Sequence, residues 1–135
     1  MDWKECCDKK IAKIVEPDEN LINSLKKTSE NKIKSSDELI MNEINSGSKV
    51  SLAYDSLREL LEALAIKNGY KIYNHECYTH FLKEIIKESE KGDEFDIIRI
   101  ERNSINYYAK EISVEEANIL ISIIKELRNF IINLL

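Results

Sequence analysis

An arginine stands on the apolar face of a predicted helix in the second half of this sequence. The stretch RIERNSINYYAKE (residues 99–111) contains neither glycine nor proline, and its composition favours a helix. Steps of three and four residues follow one face of that helix, through Phe95, Ile98, Arg102, Ile105 and Ala109. A guanidinium carries five donors in one plane, which suits a phosphate or a carboxylate. Arg102 is therefore the first candidate for chemistry in this chain.

Two arrangements of Arg102 stay open from the residues alone. In the first, Arg102 lines a polar cleft in which three neighbours supply further donors: Asn103, Asn106 and Tyr107. In the second, Arg102 reaches the edge of its helix or pairs with a carboxylate such as Glu59 or Glu62. A buried guanidinium without partners costs several kcal/mol, and both arrangements avoid that cost.

Histidine and cysteine come close together in the segment HECYTH (residues 75–80). Two helical positions five residues apart point about 140° away from each other, so His75 and His80 do not converge on one ion. The four-ligand spacings of zinc sites are also missing. We predict no metal at this segment, and we expect His80 to pair with Glu76 one turn earlier. Since no cofactor-binding motif is present, no cofactor is predicted.

Four charged residues form a ladder on one predicted helix: Asp55, Arg58, Glu59 and Glu62. Their spacing predicts a solvated face with ordinary salt bridges. Acid–base catalysis by paired carboxylates would need burial to raise the pKa of one of them. Neither a Ser-His-Asp arrangement nor a glycine-rich phosphate loop is present.

The composition indicates one helical domain. The chain has 135 residues, 43% of them hydrophobic and 33% charged, with only three glycines and one proline. This balance is typical of a folded helical protein and not of a disordered one. The net charge of −5 argues against a general nucleic-acid coat, but it leaves room for a local basic groove.

The three cysteines do not suggest a disulfide framework, because their number is odd and Cys6 and Cys7 are neighbours. We expect all three cysteines, of which Cys77 is the third, to be packing residues. Unpaired cysteines are typical of a reducing cytosol, so a cytoplasmic protein is predicted. Charged residues interrupt the N-terminus from the second position, which excludes a signal peptide there. No apolar run approaches the ~18 residues of a membrane span, so no membrane partner is predicted.

The hydrophobic pattern of the first half predicts three helices. Residues 1–16 form an amphipathic extension, and a long helix, capped by Asp18, follows from Glu19 to Asn45. The stripe of the long helix includes two small residues, Ser29 and Ser36, which would let a partner helix approach closely. SGS (residues 46–48) is the clearest loop signal, and the next helix runs from Val50 to Lys67.

The second half predicts three more helices separated by turn signals. Asn68-Gly69 ends the third helix, YKIY (residues 70–73) is a bend, and Asn74 caps the fourth helix. Gly92-Asp93 separates the fourth helix from the one that bears Arg102. SVEE (residues 113–116) is a capping box that begins the last helix. The predicted fold is all-α: an up-and-down antiparallel bundle of four core helices plus an additional terminal helix. We predict a single domain over residues 1–135, of which 1–16 are the N-terminal extension.

Four stretches resemble HEPN domains, the higher-eukaryote and prokaryote nucleotide-binding helical bundles. RNSINYYAKEIS (residues 102–113) is similar to the helix that bears their motif, especially in a small archaeal branch with RN, a short gap and YY. LRELLEALAIKNGYKIYNHECYTHFLKEI (residues 57–85) resembles the two preceding helices of that branch. DWKEC and PDENLINSL, near the start, resemble its N-terminus. The resemblance covers nearly the whole chain.

This resemblance implies a helical bundle that is usually a homodimer, with the motif helices meeting at the interface. Many members are metal-independent ribonucleases, which use an Arg, often followed by Asn, and a His a few residues later. Others are toxins neutralised by a partner nucleotidyltransferase, or non-catalytic modules that bind nucleotides or RNA. Arg102 and Asn103 match the start of the motif, whereas Tyr107 stands in the position of its His.

The resemblance therefore predicts a degenerate, dimeric module that binds RNA, a nucleotide or a partner protein through Arg102, Asn103, Asn106 and Tyr107. The alternative is a metal-independent ribonuclease or toxin paired with a nucleotidyltransferase. In that case Arg102 would stabilise the charge of the phosphorane, and Tyr107 or His75, from a neighbouring helix, would handle the proton. A tyrosine is a poor base near neutral pH, because its ordinary pKa is near 10.

Overall fold

The chain is mainly helical in a computed structural model that describes residues 1–135. The helices are α1 (Trp3–Asp8), α2 (Glu19–Glu38), α3 (Ser46–Lys67), α4 (His75–His80), α5 (Ser89–Tyr107) and α6 (Val114–Leu134). A π-helical segment (Phe81–Ile85) extends α4, and two short strands, β1 (Ala12–Ile14) and β2 (Tyr70–Ile72), pair antiparallel. The all-α class is thus confirmed, apart from this small sheet.

Helix α3 lies at the centre, with most of its residues buried, and α2 packs antiparallel against it. The Ser29 hydroxyl donates to the Ser56 carbonyl at 2.6 Å, and the Ser36 hydroxyl donates to the Lys49 carbonyl at 3.0 Å. These bonds require the two backbones to approach closely. The prediction that the small side chains on α2 admit a partner helix is therefore confirmed, and the partner is α3 of the same chain.

Helix α5 lies antiparallel to α3, whereas α6 lies parallel to it. At one end of α3, the Ser46 hydroxyl donates to the Ile112 carbonyl just before α6 at 2.7 Å. At the other end, the Lys67 ammonium donates to the Leu134 carbonyl at 2.8 Å. The four long helices α2, α3, α5 and α6 consequently alternate in direction along the chain. One apolar core of 26 buried residues, centred on α3, holds the helices and the small sheet together.

Three helix starts agree with the predicted caps. The side chains of Asp18, Asn74 and Ser113 each accept a hydrogen bond from a backbone N–H two or three residues further on. Each bond satisfies one donor that the first turn of a helix leaves unpaired. At the end of α3, Gly69 adopts φ +87°, a left-handed conformation that favours glycine.

The prediction of one helix over residues 1–16 is wrong. Helix α1 ends at Asp8, Lys10 takes a left-handed φ of 59°, and the chain continues as β1. In β1, Ala12 stands opposite Ile72 in β2, so the predicted bend YKIY is largely a strand. Periodicity did not reveal these strands because three residues are too few to display an alternating pattern.

The predicted end of α2 at Asn45 is also wrong, because the helix stops at Glu38. The buried Lys49 ammonium, from α3, donates to the carbonyls of Ser36 and Leu39. These bonds satisfy carbonyls that the last turn of a helix would leave without partners. The end of α2 is therefore determined by a residue of the next helix.

The predicted loop SGS is the first turn of α3 instead. The true loop is residues 39–45, which the side chains of Asn42 and Asn45 stabilise through mutual bonds to each other's backbone N–H. Gly47 faces Ile105 so closely that an added Cβ would lie 3.2 Å from its Cγ2. The glycine serves this close packing of α3 against α5, so it is not a turn signal.

The predicted break at Gly92-Asp93 lies inside α5, which begins at Ser89. A Cβ at Gly92 would stand 2.6 Å from Lys83 Cγ and 3.0 Å from the Thr79 carbonyl oxygen. Gly92 therefore allows α5 to cross close to the end of α4. Ala109, which the predicted stripe includes, lies beyond the end of α5.

A disulfide joins Cys6 in α1 to Cys77 in α4, and Cys7 is free. The prediction that all three cysteines are packing residues is wrong for this pair. The odd count and the adjacent cysteines concealed the bond, because the partners lie 71 residues apart in the sequence. The expectation of a reducing cytosol thus loses the observation on which it rested.

None of the helices combines the length and the apolar character that a membrane crossing requires.

Candidate functional site

Arg102 lies between two tyrosine rings in the seam of α3 and α5. Its guanidinium carbon is 4.9 Å from the ring centre of Tyr54 and 5.9 Å from that of Tyr107. Only 12% of the side chain is exposed, and its one ion pair is a 3.3 Å contact between Nη2 and Asp55 Oδ1. The Nε–H is buried and has no hydrogen-bond partner. Arg102 therefore has donors to spare for a ligand.

The Tyr54 ring connects Arg102 to His75. The Tyr54 hydroxyl oxygen and His75 Nδ1 are 3.0 Å apart, a hydrogen bond in which either group could donate. Whichever tautomer is present, this bond occupies Nδ1 and leaves Nε2 as the nitrogen available for other contacts. Helix α4 supplies His75 to the site, and its start is fixed by the Asn74 cap one residue earlier.

The surroundings of His75 favour its neutral form. Burial lowers the pKa of the imidazole, and the nearby charges of Arg58, Arg102 and Arg99 lower it further, whereas Asp55 opposes them. In the tautomer whose Nδ1–H donates to the Tyr54 hydroxyl oxygen, the neutral imidazole can accept a proton at Nε2, which is the property of a general base. Burial has the opposite effect on Tyr54, because it raises the pKa of the phenol and keeps the hydroxyl protonated.

Two further arginines flank Arg102, and each has a closer carboxylate than Arg102 has. Arg99 binds Asp96 through Nε and Nη2 at 3.0 and 2.8 Å. Arg58 binds Glu62 at 3.1 Å. The weakest of the three pairings is therefore at Arg102, which makes its guanidinium the one most readily offered to an anion.

The charged ladder of α3 is not the solvated face that was predicted. Glu59 is buried and binds Thr28 and Lys32 of α2, while Glu62 is mostly buried between Arg58 and Lys71. The carboxylate that pairs with Arg102 is Asp55, so the predicted partners Glu59 and Glu62 are wrong. Burial opposes ionisation of Glu62, but Lys71 and Arg58 outweigh it and lower the pKa of this carboxyl.

The other predicted ligand-binding residues lie at different distances from this centre. Tyr107 is in the last turn of α5 and is 70% exposed, so one face of its ring is free for contact. Asn106 is exposed, and its Oδ1 accepts a 2.8 Å hydrogen bond from the Ser51 hydroxyl. Asn103 is half-buried and no side-chain hydrogen bond joins it to Arg102. Tyr107 thus lies beside Arg102. Asn106 is one helical turn from Arg102 along α5, and the Asn103 side chain is not bonded to the site.

A groove of about 1050 Å³ begins at Asn106 and runs between the start of α3 and the loop before α6. Its walls include Ser51, Ile105 and Lys110. The Lys110 ammonium is already paired with Glu101 at 2.7 Å. The groove adjoins the Arg102 site through Asn106, but it does not itself contain Arg102 or His75.

The second histidine and the cysteines offer no ligand set for a metal. Cys77 is bonded to Cys6 and so cannot supply a thiolate. His80 makes no hydrogen bond to Glu76, contrary to prediction, and its buried Nε2 has no partner. No group of three or more His, Cys, Asp and Glu side chains is suitably placed to hold an ion.

Three residues around Arg102 were not predicted as members of its site: Tyr54, Arg58 and Arg99. A signal for them was present, because Tyr54 and Arg58 are one turn apart on α3 and Arg99 is one turn before Arg102 on α5. Two facing helices that each carry polar residues one turn apart inside apolar stripes indicate a shared polar seam. The apolar neighbours of Tyr54 in the sequence concealed this polar seam, because they make Tyr54 resemble an ordinary core residue.

No protein-family model matches this chain, and neither a curated protein nor a solved structure matches it. Membership of the HEPN family therefore stays a prediction from the resemblance.

Proposed function

We propose that this chain is a binding module, similar to a degenerate HEPN domain, that holds RNA or a nucleotide at Arg102. The observation that carries the proposal is the partly buried guanidinium, stacked on Tyr54, with an unpartnered Nε–H and a single long contact to Asp55. A phosphate is a better acceptor for this fork of donors than one distant carboxylate oxygen. Only Nη2 of the two terminal nitrogens has a partner, so Nη1 remains free to donate to a bound anion.

The ring of Tyr107 gives this proposal its second contact. It lies on the open side of Arg102 and exposes an aromatic face, on which a nucleobase can stack while its phosphate meets the guanidinium. Such stacking contributes about 1–3 kcal/mol per base and tolerates any base. Because the net charge is −5, we expect an anion to bind only at this local site. Salt screens the attraction between the guanidinium and a phosphate, so we expect the affinity to fall as salt is added.

Replacing Arg102 by methionine should weaken binding of a hexauridylate RNA or of ATP by about 1.5–3 kcal/mol, the range for hydrogen bonds to a charged group. Arg102→Lys should weaken it less, because a lysine keeps the charge but not the planar fork. Isothermal titration calorimetry at two salt concentrations measures both effects.

The matched control is Arg128→Met, which removes a buried guanidinium that also has an unpartnered Nε–H and one long carboxylate contact, to Glu30. Unlike Arg102, Arg128 does not lie against a tyrosine ring. Arg128→Met should leave affinity unchanged, provided that circular dichroism shows both variants to be folded. Equal affinity of wild type and Arg102→Met would refute the proposal.

The second candidate function is metal-independent RNA cleavage, as a toxin with a nucleotidyltransferase partner. The observation in its favour is His75, whose neutral imidazole reaches the same Tyr54 ring that carries Arg102. His75 Nε2 could take the proton of a ribose 2′-hydroxyl as its oxygen attacks the adjacent phosphorus, while Arg102 stabilises the phosphorane. The bond from phosphorus to the 5′-oxygen then breaks and leaves a 2′,3′-cyclic phosphate, the 5′-oxygen takes a proton from water, and His75 releases its proton to solvent. Tyr107 is a less suitable base than His75, since a phenol acts as a base only after it loses its proton, whereas a neutral imidazole has a free lone pair.

Under the leading proposal we expect no cleavage of single-stranded RNA above background in the presence of a metal chelator. The assay follows a fluorescent RNA on a denaturing gel, with wild type, Arg102→Ala, His75→Gln and His80→Gln. Turnover by wild type and His80→Gln that disappears in both other variants would establish the second function instead.

We further propose that a second copy of the chain packs against the outer face of α5. The small residues of α2 do not provide the interface, because α3 covers them within the chain. Helix α5 instead exposes two large apolar side chains, Ile97 at 59% and Ile100 at 50%. Apolar side chains aligned on one helix face are typical of an interface.

Light scattering at micromolar concentration should give about twice the 15.7 kDa mass of one chain. Ile100→Glu should convert the dimer to a monomer, because it would bury a charge at the interface. Ile119→Glu, at an exposed position of α6, is the control and should stay dimeric. A wild-type mass of one chain would contradict the proposed dimer.

A further inference from the structure

The disulfide ties the start of the chain to the helix that supplies His75. Cys6 and Cys77 are fully buried, and Cys77 lies two residues after His75 and directly before Tyr78. The covalent bond from α1 therefore attaches within one turn of the imidazole. No other covalent link joins residues 1–16 to the rest of the fold except the chain itself.

Residues 1–16, here called the N-terminal segment, are otherwise held by short elements, and β1 pairs with β2 over three residues. The Trp3 backbone N–H donates to a Glu84 carboxylate oxygen at 2.7 Å, and the Trp3 ring packs on Tyr70 and Phe81 at centroid distances of 5.1 and 5.8 Å. Helix α1 has six residues and β1 has three. Elements this short are marginal by themselves, so the disulfide is a major part of what keeps the segment docked.

The segment and the site share the same supporting elements. Phe81, which packs on Trp3, is the first residue of the π-helical segment that continues α4, the helix that begins with His75. Strand β2 leads directly into α4. If the segment leaves, α4 loses its packing on that side while Tyr54 stays fixed by Phe95 in the core. Local opening in proteins takes place in such contiguous units of low stability.

We propose that the Cys6–Cys77 bond is a redox control of the site, in which reduction releases the N-terminal segment and lets His75 move away from Tyr54. The reductant is an external dithiol. One of its thiolates attacks a sulfur of the disulfide, forms a mixed disulfide and releases the other cysteine, which takes up a proton. The second thiol then closes the reductant's own disulfide and frees the remaining cysteine, so two electrons pass and both cysteines end as thiols.

Cys7 does not replace this external reductant, although it neighbours Cys6. Burial raises the pKa of its thiol, and the charges of Asp8 and Glu84 raise it further. The thiolate is the attacking species in exchange, so Cys7 stays largely unreactive at neutral pH. The bond is thus protected from internal exchange and responds to the redox state of the surroundings.

The test compares oxidised protein, protein reduced with dithiothreitol, and the Cys6→Ala/Cys77→Ala double variant, with Cys7→Ala as the control. Nuclear magnetic resonance follows the imidazole of His75, assigned with a His80→Gln variant. We expect reduction and the double variant to weaken the contact between the Tyr54 and His75 rings and to raise the pKa of His75 towards its ordinary value of about 6.5. Cys7→Ala should do neither.

An unchanged Tyr54–His75 contact and an unchanged His75 pKa in both reduced forms would overturn the proposal. Loss of helical circular dichroism on reduction would also overturn it, because the bond would then support the entire fold and not one site. Contacts between the Tyr54 and Phe95 rings serve as the internal measure of an intact core.

The expected effect of reduction on ligand binding rests on the proposed function, so it is measured separately. Hexauridylate RNA should bind the reduced protein at least about fivefold more weakly, the lower end of typical coupling between two sites. A His75 response without RNA binding in either state would refute the proposed function and support the redox control. Equal RNA binding in both states, with His75 unmoved, would overturn the redox control and leave the proposed function standing.

Discussion

Replacing Phe95 by alanine is expected to lower the free energy of unfolding by about 3–5 kcal/mol. Phe95 is fully buried in α5, where its ring stacks on Tyr54 with centroids 6.0 Å apart and meets Tyr78 edge-on at 6.3 Å. The substitution removes apolar contacts to both tyrosines and leaves a cavity between α3, α4 and α5. Chemical denaturation followed by circular dichroism measures the loss.

Ile119→Ala is the matched control, because it truncates a large apolar residue at a largely exposed position of α6, away from the proposed dimer face. It should change stability by no more than about 0.5 kcal/mol. Equal effects of the two substitutions would show that Phe95 is not part of the core. A large loss at Phe95 alone would support the stack of rings under Arg102.

The second large effect is expected from removal of the disulfide. Bonding Cys6 to Cys77 closes a long loop in the unfolded chain and reduces its conformational entropy. For a separation of 71 residues, the chain-entropy relation gives about 4 kcal/mol at 25 °C. The double variant Cys6→Ala/Cys77→Ala should lose about this much stability in guanidinium denaturation without reductant.

Cys7→Ala provides the control, since it removes a neighbouring thiol and leaves the bond in place. It should cost well under half of the loss in the double variant. A domain typically has about 5–15 kcal/mol of stability, so we expect the double variant to remain folded at room temperature. A loss under about 1 kcal/mol would contradict a loop that constrains the unfolded chain.

The sequence was sufficient for the elements whose signals are local. Asp18, Asn74 and Ser113 were recognisable as caps because a capping side chain acts on an N–H two or three residues away. The hydrophobic pattern likewise predicted the long helices, since helical periodicity repeats over several turns. These signals were enough to predict the class of fold.

The errors lie where distant residues decide the outcome. Lys49 ends α2 from the following helix, and Gly47 and Gly92 serve close helix packing although their sequence context resembles a loop. Cys6 finds Cys77 across half of the chain, and β1 exists only because β2 lies beside it. None of these contacts leaves a periodic trace in the sequence.

The candidate site was predicted in part for the same reason. Arg102 was recognisable because a charge on an apolar stripe conflicts with its surroundings, and Tyr107 lies beside it as expected. The link to His75 depends on Tyr54, whose hydroxyl can only be matched with a partner once α3 and α4 are packed. Apolar patterns find the core, whereas a polar contact between helices requires the packing itself.

The buried Lys49 has a consequence for the chemical reactivity of this protein. An amine that donates to two carbonyls inside the α2–α3 junction is shielded from acylating reagents, which need a free, deprotonated nitrogen. Lys49 is the only lysine among the buried residues, so the others can be acetylated while it is spared. Acetylation at Lys49 would then record each opening of the junction, and a mass spectrometer could read from this one residue how firmly α2 is held on α3.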